Sequence, residues 1–466
     1  MNHAIQIPEF DPALIARYDV AGPRYTSYPT APQFHADFGE RALRAAIQAS
    51  NEEPIPRPLS IYVHVPFCAS PCFYCGCNRI ITREVDKADR YLERLYREIE
   101  LVAKLFDLDR QVTQLHFGGG TPNFLDVPRM QELMGVLARH FSFATERGRE
   151  FGIEIDPRFA DADYIRGIGE LGFNRISVGI QDFDPAVQAA VNRIQSVAQT
   201  REVLEAARAS GFRSTSVDLI YGLPRQTVAG FERTLDEVVA LAPDRVAVYA
   251  YAHLPEMFKA QRQIKAEELP DPATRLALIG RALARLNEAG YAYVGMDHFA
   301  RADDELVAAQ RAGTLQRNFQ GYSTHGECDI VGLGVSAIGR IGDSYSQSAR
   351  DLTGYYAAID NGHLPVARGL ALSEDDLIRR EAIGQLMCYG ELDMREFGEQ
   401  RRIVFADYFA AELERLRALA GDGLVAVDER SIRVAPRGRL LLRIVAMCFD
   451  AYLGKAASAP RFSRTI

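Results

Sequence analysis

Six short runs rich in β-branched and aromatic residues, each followed by a longer segment of helical period, set the strongest limit on what this chain can fold into. The runs are SIYVHV (60–65), VTQLHF (112–117), FGIEI (151–155), NRISVGI (174–180), STSVDLI (214–220) and DRVAVYA (244–250). Between the first two, Tyr91, Leu95, Ile99 and Val102 recur at three- and four-residue spacing, as on one face of an amphipathic helix. VPRMQELMGVLARHF and VAQTREVLEAARASG repeat that pattern, the second ending on Gly211, a usual helix terminator. Strands joined by crossovers of this length lie parallel, so an α/β fold is expected. Six βα units fit an incomplete (β/α)6 barrel at least as well as an open sheet.

The unusual residues tilt the reading toward the barrel. Four clustered cysteines follow the first run, GGGTP (118–122) follows the second, and Glu154 ends the third. Gln181 follows the fourth, Asp218 lies near the end of the fifth, and Tyr251 and Ala252 follow the sixth. All sit at carboxyl ends of strands, the face on which such barrels carry their sites. At 466 residues the chain outgrows a single core. Three parts are expected: an N-terminal arm (1–50), the partial barrel (51–365) and a small, mainly helical C-terminal domain (366–466), of winged-helix type, that covers the barrel.

A formal net charge of −8 disfavours a general nucleic-acid binder. The first twenty residues show neither a basic start with an apolar run nor a small-residue cleavage site, and no stretch approaches the roughly 18 apolar residues of a membrane span. A cytoplasmic protein is therefore expected. Seven cysteines, an odd number, with Cys328, Cys388 and Cys448 scattered, argue against a disulfide framework and for metal or redox chemistry.

The cluster itself is HVPFCASPCFYCGCNRI (64–80), with Cys68, Cys72 and Cys75 at C-x3-C-x2-C and Cys77 two positions on. Zinc usually takes two knuckles separated by a loop, and the second is missing. Three cysteines on one loop instead leave a cubane iron–sulfur cluster with one iron free of protein ligands, open to substrate or cofactor. Three thiols suffice, so Cys77 is surplus to the cluster. In GGGTP, bare glycine backbone suits either a tight turn or the close approach of a ligand.

C-x3-C-x2-C with Phe73 and Tyr74 before the last cysteine, followed by GGGTP, resembles the radical S-adenosylmethionine (SAM) enzymes. More closely, GPRYTSYPT, VPFCASPCFYCGCN, LHFGGGTPNFL, SVGIQDFD, VDLIYGLPRQT and RNFQGYST together resemble the oxygen-independent coproporphyrinogen III oxidase family, from about residue 18 into the C-terminal domain. The resemblance implies that Cys68, Cys72 and Cys75 ligate one 4Fe-4S cluster and that two SAM molecules bind beside each other. Their contacts would be Tyr62, Tyr74, Gly118, Gly119, Gly120, Thr121, Glu154, Gln181, Arg193, Asp218, Ala252 and Ile338, with Tyr62 and Cys77 in catalytic roles.

It further implies a monomer that converts two propionates of coproporphyrinogen III to vinyl groups, giving protoporphyrinogen IX. That reaction draws on an electron donor for the cluster and a separate electron acceptor. The substrate's carboxylates call for arginines, and Arg24, Arg79 and Arg317 lie in the matching motifs. The alternatives are a haem chaperone of the same lineage, whose members usually lack both the PRYTSYPT arm and the counterpart of Cys77, and a structural zinc protein.

Overall fold

Alternation within each strand decides the layering. In β1 (Leu59–Val65) the side chains of Leu59, Ile61, Val63 and Val65 are fully buried, while Ser60, Tyr62 and His64 point to the opposite face. The apolar row packs under helices, and the polar row faces the inside of a curved sheet. β2 (Gln111–Gly119), β3 (Glu150–Ile155), β4 (Arg175–Gln181), β5 (Ser214–Tyr221) and β6 (Arg245–Ala250) share this division, so a polar bore runs behind an apolar shell.

The computed structural model describes residues 7–453 together with 462 and 464. The first six residues of the expected arm, and residues 454–461, 463, 465 and 466 of the expected C-terminal domain, lie outside the described residues. All six expected strands form, in parallel and in sequence order. Their crossovers include α1 (Val85–Ala103), α2 (Val127–His140), α3 (Ala162–Glu170), α4 (Val197–Ala209) and α5 (Val228–Leu241). α4 starts on a capping box in which Ser196 and Gln199 exchange hydrogen bonds, and Gly211, just past its end, has a φ of +79°.

The sheet extends beyond these six. β7 (Tyr291–Gly295) and β8 (His298–Arg301) add antiparallel beyond β6, through β8. At the other end β9 (Asp329–Leu333) lies parallel to β1, and β10 (Ile338–Ile341), β11 (Ser344–Ser348) and β12 (Val366–Ala371) continue antiparallel. The order is β7-β8-β6-β5-β4-β3-β2-β1-β9-β10-β11-β12, and the short strand Ser142–Phe143 pairs with β2. The expected barrel/C-terminal division at 365/366 falls at the start of β12, which belongs to this sheet.

The N-terminal arm bridges the two ends of the sheet. Arg24 pairs with Asp297 between β7 and β8, and its guanidinium lies 5.4 Å from the ring centre of Tyr249 on β6. Ten residues on, Phe34 stacks on Tyr345 of β11 at 5.6 Å, and His35 exchanges backbone hydrogen bonds with Gly369 of β12 at 2.9 and 3.0 Å. The C-terminal part clasps it from outside: Tyr25 donates to Asp450 (2.9 Å), Arg443 Nε donates to the Pro23 carbonyl (3.0 Å), and the Ala451 N–H donates to the Tyr28 hydroxyl (3.0 Å).

That part contains helices Glu374–Tyr389, Ala410–Gly421 and Leu442–Met447. A hairpin of Val425–Val427 and Ser431–Val434 forms between the last two, and Glu391–Asp393 joins it to make three strands.

Candidate active site

The loop after β1 is clamped from both sides. Ile80 N–H donates to the Pro66 carbonyl (2.7 Å) and Thr82 N–H to that of Cys68 (3.0 Å). Arg79 reaches back to the carbonyls of Cys72 (2.9 Å) and Cys75 (3.1 Å), and the Asn192 amide donates to Pro71 (2.7 Å). These bonds leave the cysteine sulfurs to other partners.

Each of the three spaced thiols has its own donor. Thr121 Oγ1 lies 3.3 Å from Cys68 Sγ, the Cys77 N–H lies 3.4 Å from Cys75 Sγ, and Arg158 and Arg193 each approach Cys72 Sγ at 3.4 Å. Donors aimed at sulfur stabilise thiolates and, in a metal centre, tune their ligand strength. Burial pushes the Cys68 thiol up to about 11, whereas hydrogen bonding from the Cys77 side chain brings Cys75 down to about 6 and pushes Cys77 up in turn. Among the described residues no three His, Cys, Asp or Glu side chains group as ligands of a single ion would, and a cubane, whose cysteines bind separate irons, does not ask them to. The thiol set and its donors fit a 4Fe-4S cluster.

Arg158 and Arg193 converge on one carboxylate. Asp156 Oδ2 accepts from Arg158 at 2.7 Å and from Arg193 at 3.1 Å, with all three side chains at most 10% exposed. Although burial opposes it, the two guanidiniums hold the Asp156 carboxyl below its usual range. Arg193 also donates to the Gly179 carbonyl at 2.6 Å, beside Gln181, which ends β4 with a φ of +69°.

The three glycines after β2 are demanded by the chain's own packing. A Cβ on Gly118 would stand 2.8 Å from Glu154 Oε1 and 3.1 Å from the Tyr62 ring. One on Gly119, whose φ is +115°, would meet the His64 ring at 2.6 Å, and one on Gly120 would meet the Pro66 and Phe67 carbonyls at 2.8 Å. Here the backbone passes within van der Waals contact of the cysteine loop and of the bore side chains.

Those bore side chains form a chain of contacts. His64 Nε2 lies 3.0 Å from the Asn78 carbonyl, which can only accept, so Nε2 carries the proton. Nδ1 is then the acceptor for the Tyr62 hydroxyl at 3.2 Å. Tyr62 stacks on His116 at 6.1 Å, and His116 Nε2 lies 3.4 Å from Glu154 Oε1. Asp218 accepts from Ser177 (3.2 Å), and burial followed by the charge of Glu154 pushes its carboxyl up to about 7. A carboxyl kept partly protonated in this way is ready to donate as well as accept a hydrogen bond.

Two expected residues connect through a third. Gln261 Nε2 donates to the carbonyls of both Tyr74 (2.8 Å) and Ala252 (3.1 Å). Ile338 is set apart: it lies on β10, across β9 from Tyr62, which is level with Gly332, where a Cβ would stand 2.7 Å from the Ile338 carbonyl. Of the three arginines expected to meet substrate carboxylates, Arg24 is paired with Asp297 and Arg79 is spent on the cysteine loop.

Sequence reasoning missed Asp156, Arg158, His64, His116 and Gln261. The histidines carried a signal: His64 stands two positions after Tyr62, and His116 two before Gly118, the spacing of side chains on one strand face. Asp156 and Arg158 carried none, since Arg193 and Cys72, which join them into a cluster, are distant in sequence.

Fold and site define a class. The chain matches the radical SAM superfamily over residues 62–238, and residues 372–441 match the HemN C-terminal domain. It is therefore a radical SAM protein. It is 50% identical over 461 residues to the oxygen-independent coproporphyrinogen III oxidase of Pseudomonas aeruginosa, covering 98% of this chain and 99% of the relative. It is 49% identical to the Escherichia coli protein of that name, covering 99% of this chain and 100% of the relative. A solved structure of coproporphyrinogen III oxidase from Escherichia coli, described as a radical SAM enzyme, superposes with a TM-score of 0.91 at 48% identity, covering 96% of this chain and 100% of that one. The chain belongs to the family of oxygen-independent coproporphyrinogen III oxidases.

Proposed function

We propose that this protein decarboxylates two propionates of coproporphyrinogen III oxidatively and without oxygen, giving the vinyl groups of protoporphyrinogen IX in porphyrin biosynthesis. The observation that carries the reading is the loop at the carboxyl end of β1, where each of three thiols has a separate donor and the loop faces the polar row of the bore. Cys68, Cys72 and Cys75 would hold one 4Fe-4S cluster, and two SAM molecules would bind beside it. When bound, this pair of cofactors supplies one-electron chemistry at a sulfonium that ends in hydrogen abstraction from an unactivated carbon.

The chain's own residues bind, orient and shield. Arg158 and Arg193, fixed by Asp156, neutralise the Cys72 thiolate and offer a cationic wall to a SAM carboxylate. Glu154 and Asp218 suit ribose hydroxyls or an ammonium, and Gln181 suits polar groups at the same height. The backbones of Gly118, Gly119, Gly120 and Thr121, with Tyr62, Tyr74, Ala252 and Ile338, would complete the walls.

Tyr62 holds its hydroxyl proton on His64 Nδ1, which orients the phenol across the bore. Cys77 bonds Cys75 through both its N–H and its thiol, and that thiol would act toward the substrate once Cys75 is committed to the cluster. The arm (1–50) and the C-terminal domain (366–466) close the barrel (51–365) and exclude water, which a reactive carbon-centred species requires. Each propionate loses carbon dioxide together with a hydrogen and an electron, so the monomer draws on an electron donor for the cluster and an acceptor for the product.

The test is anaerobic incubation with a reductant, SAM and coproporphyrinogen III, following protoporphyrinogen IX and 5'-deoxyadenosine together. Both should rise. Deoxyadenosine without any vinyl product would overturn the substrate assignment.

A further inference from the structure

A cavity of about 520 Å³ lies between the arm, the segment around Arg317 and the helix Glu374–Tyr389, and three of the arginines that line it are poorly matched. Among the described residues Arg317 makes no ion pair, and its Nε and Nη1 are buried without a hydrogen-bond partner. Arg340 on β10 spends Nη2 on the carbonyls of Gly326 (3.0 Å) and Cys328 (2.7 Å), while its Nε is buried and unpartnered. Arg380 Nη1 is likewise unpartnered, and its other terminal nitrogen stands 3.7 Å from Asp343. Four acids also line the cavity, none of them paired with these three arginines among the described residues: Glu381 pairs with Arg401, Asp393 pairs with Arg430, Glu396 accepts from the Gln400 amide, and Glu391 is engaged elsewhere. Buried guanidinium donors without acceptors are costly, and a native fold that keeps several together points to a ligand that satisfies them.

The cavity lies on the same side of the sheet as the bore. Gly339 and Ile341 of β10 face Leu43 and Ile47 of the helix Glu40–Asn51, so Ile338 and Arg340 occupy the other face, one pleat apart. Contacts also lead from the bore to Arg317. Tyr249 of β6 meets His298 edge to face at 5.9 Å, His298 meets Tyr322 at 5.3 Å, and the Arg317 guanidinium covers the Tyr322 ring at 4.8 Å. Burial and the charges of Arg380 and Arg57 lower the Arg340 guanidinium from its ordinary value, an unfavourable state that an anion would relieve.

We propose that Arg317, Arg340 and Arg380 form a carboxylate-docking subsite, which takes the two propionates that the reaction leaves intact while the reacting edge of the macrocycle faces the cysteine loop. The inference rests on the proposed porphyrinogen substrate. Arginine forks match carboxylates in a bidentate geometry, and both unreacted propionates persist in the product, so one anchor serves both decarboxylations.

The test measures binding of fluorescent porphyrins to the full-length protein, purified without oxygen with its cluster, as wild type and as Arg317→Gln, Arg340→Gln and Arg380→Gln. Loss of a charged hydrogen-bond partner predicts a rise of about tenfold or more in the coproporphyrin III dissociation constant for each variant. Protoporphyrin IX, which keeps the two unreacted propionates, should show the same loss, and etioporphyrin, which has none, should be unaffected. Arg317→Lys should recover part of the affinity. Near-ultraviolet circular dichroism checks folding, and the partly exposed Arg380 keeps the test valid if a more buried variant misfolds. Wild-type binding with less than a twofold change in all folded variants would overturn the subsite alone, whereas wild-type protein that neither binds these porphyrins nor converts coproporphyrinogen III would overturn the substrate reading beneath it.

Discussion

Replacing Asp156 by Asn should destabilise this protein by about 3–5 kcal/mol, the cost of removing one partner from a buried ion pair. The figure applies undiminished by solvent because Asp156, Arg158 and Arg193 side chains are 7%, 10% and 7% exposed. Asp156 Oδ2 receives charged donors from both arginines, and Oδ1 receives the Arg158 N–H (3.1 Å) and Nε (3.0 Å). An amide turns one of those acceptors into a donor, so a guanidinium faces an N–H₂ whichever way it flips. Against a total stability of roughly 5–15 kcal/mol this is a large fraction.

The assay is guanidinium unfolding of wild type, D156N, R158Q and the double variant. D156N and R158Q should not add, because both break the same contact. The pH dependence supplies a second check. The Asp156 carboxyl is held below its ordinary value of 3.8, so its contribution is present above that pH and is lost as pH falls through the lower folded value. The D156N deficit should therefore shrink in acid. A loss under about 1 kcal/mol at neutral pH, or strict additivity with R158Q, would refute the reasoning.

Two further outcomes follow from Glu98 and from the cysteine loop. Glu98, 1% exposed, accepts from Tyr355 (2.5 Å) and Gly334 N–H (2.8 Å), and burial pushes its carboxyl from 4.5 to about 7. The unfolded chain releases that proton first, so the group costs stability as pH rises from 4.5 through 7. Glu98→Gln should flatten the pH 5 to pH 8 decline by up to about 3 kcal/mol, at 1.36 kcal/mol per unit, in unfolding titrations at the two pH values; an unchanged slope would sink the assignment. Cys77→Ser keeps the backbone N–H that bonds Cys75 and should retain iron and the brown absorbance of an anaerobic preparation, whereas Cys72→Ser should lose both. Loss of iron in Cys77→Ser would make Cys77 a ligand.

The six parallel strands were legible because each alternates or runs apolar between helices of clear period. The residues at their carboxyl ends were legible because cysteines and triple glycine are rare in a strand-to-helix turn. β9 to β12 were not. DIVGL and IGRI are short, glycine-bearing and separated by tight turns, so no periodicity develops, and only pairing with β1 makes β9 a strand. The Asp156 pair was hidden for a related reason: its second arginine lies 37 positions away, and burial of charge is a tertiary property. Arg24, Arg79 and Arg317 looked alike in their motifs, yet only the third keeps buried donors without an acceptor. Composition reveals how many guanidiniums exist and is silent on which are already spoken for.

The arm that ties one end of the sheet to the other leaves the ribosome before the barrel, but its fasteners come after it: Gly369, Arg443, Asp450 and Ala451 are all translated once the six parallel strands are complete. Throughout synthesis the cysteine loop thus sits in a vessel whose strap has no buckle. Any assembly machinery that delivers iron and sulfide has that interval in which to reach the loop before the strap is fastened.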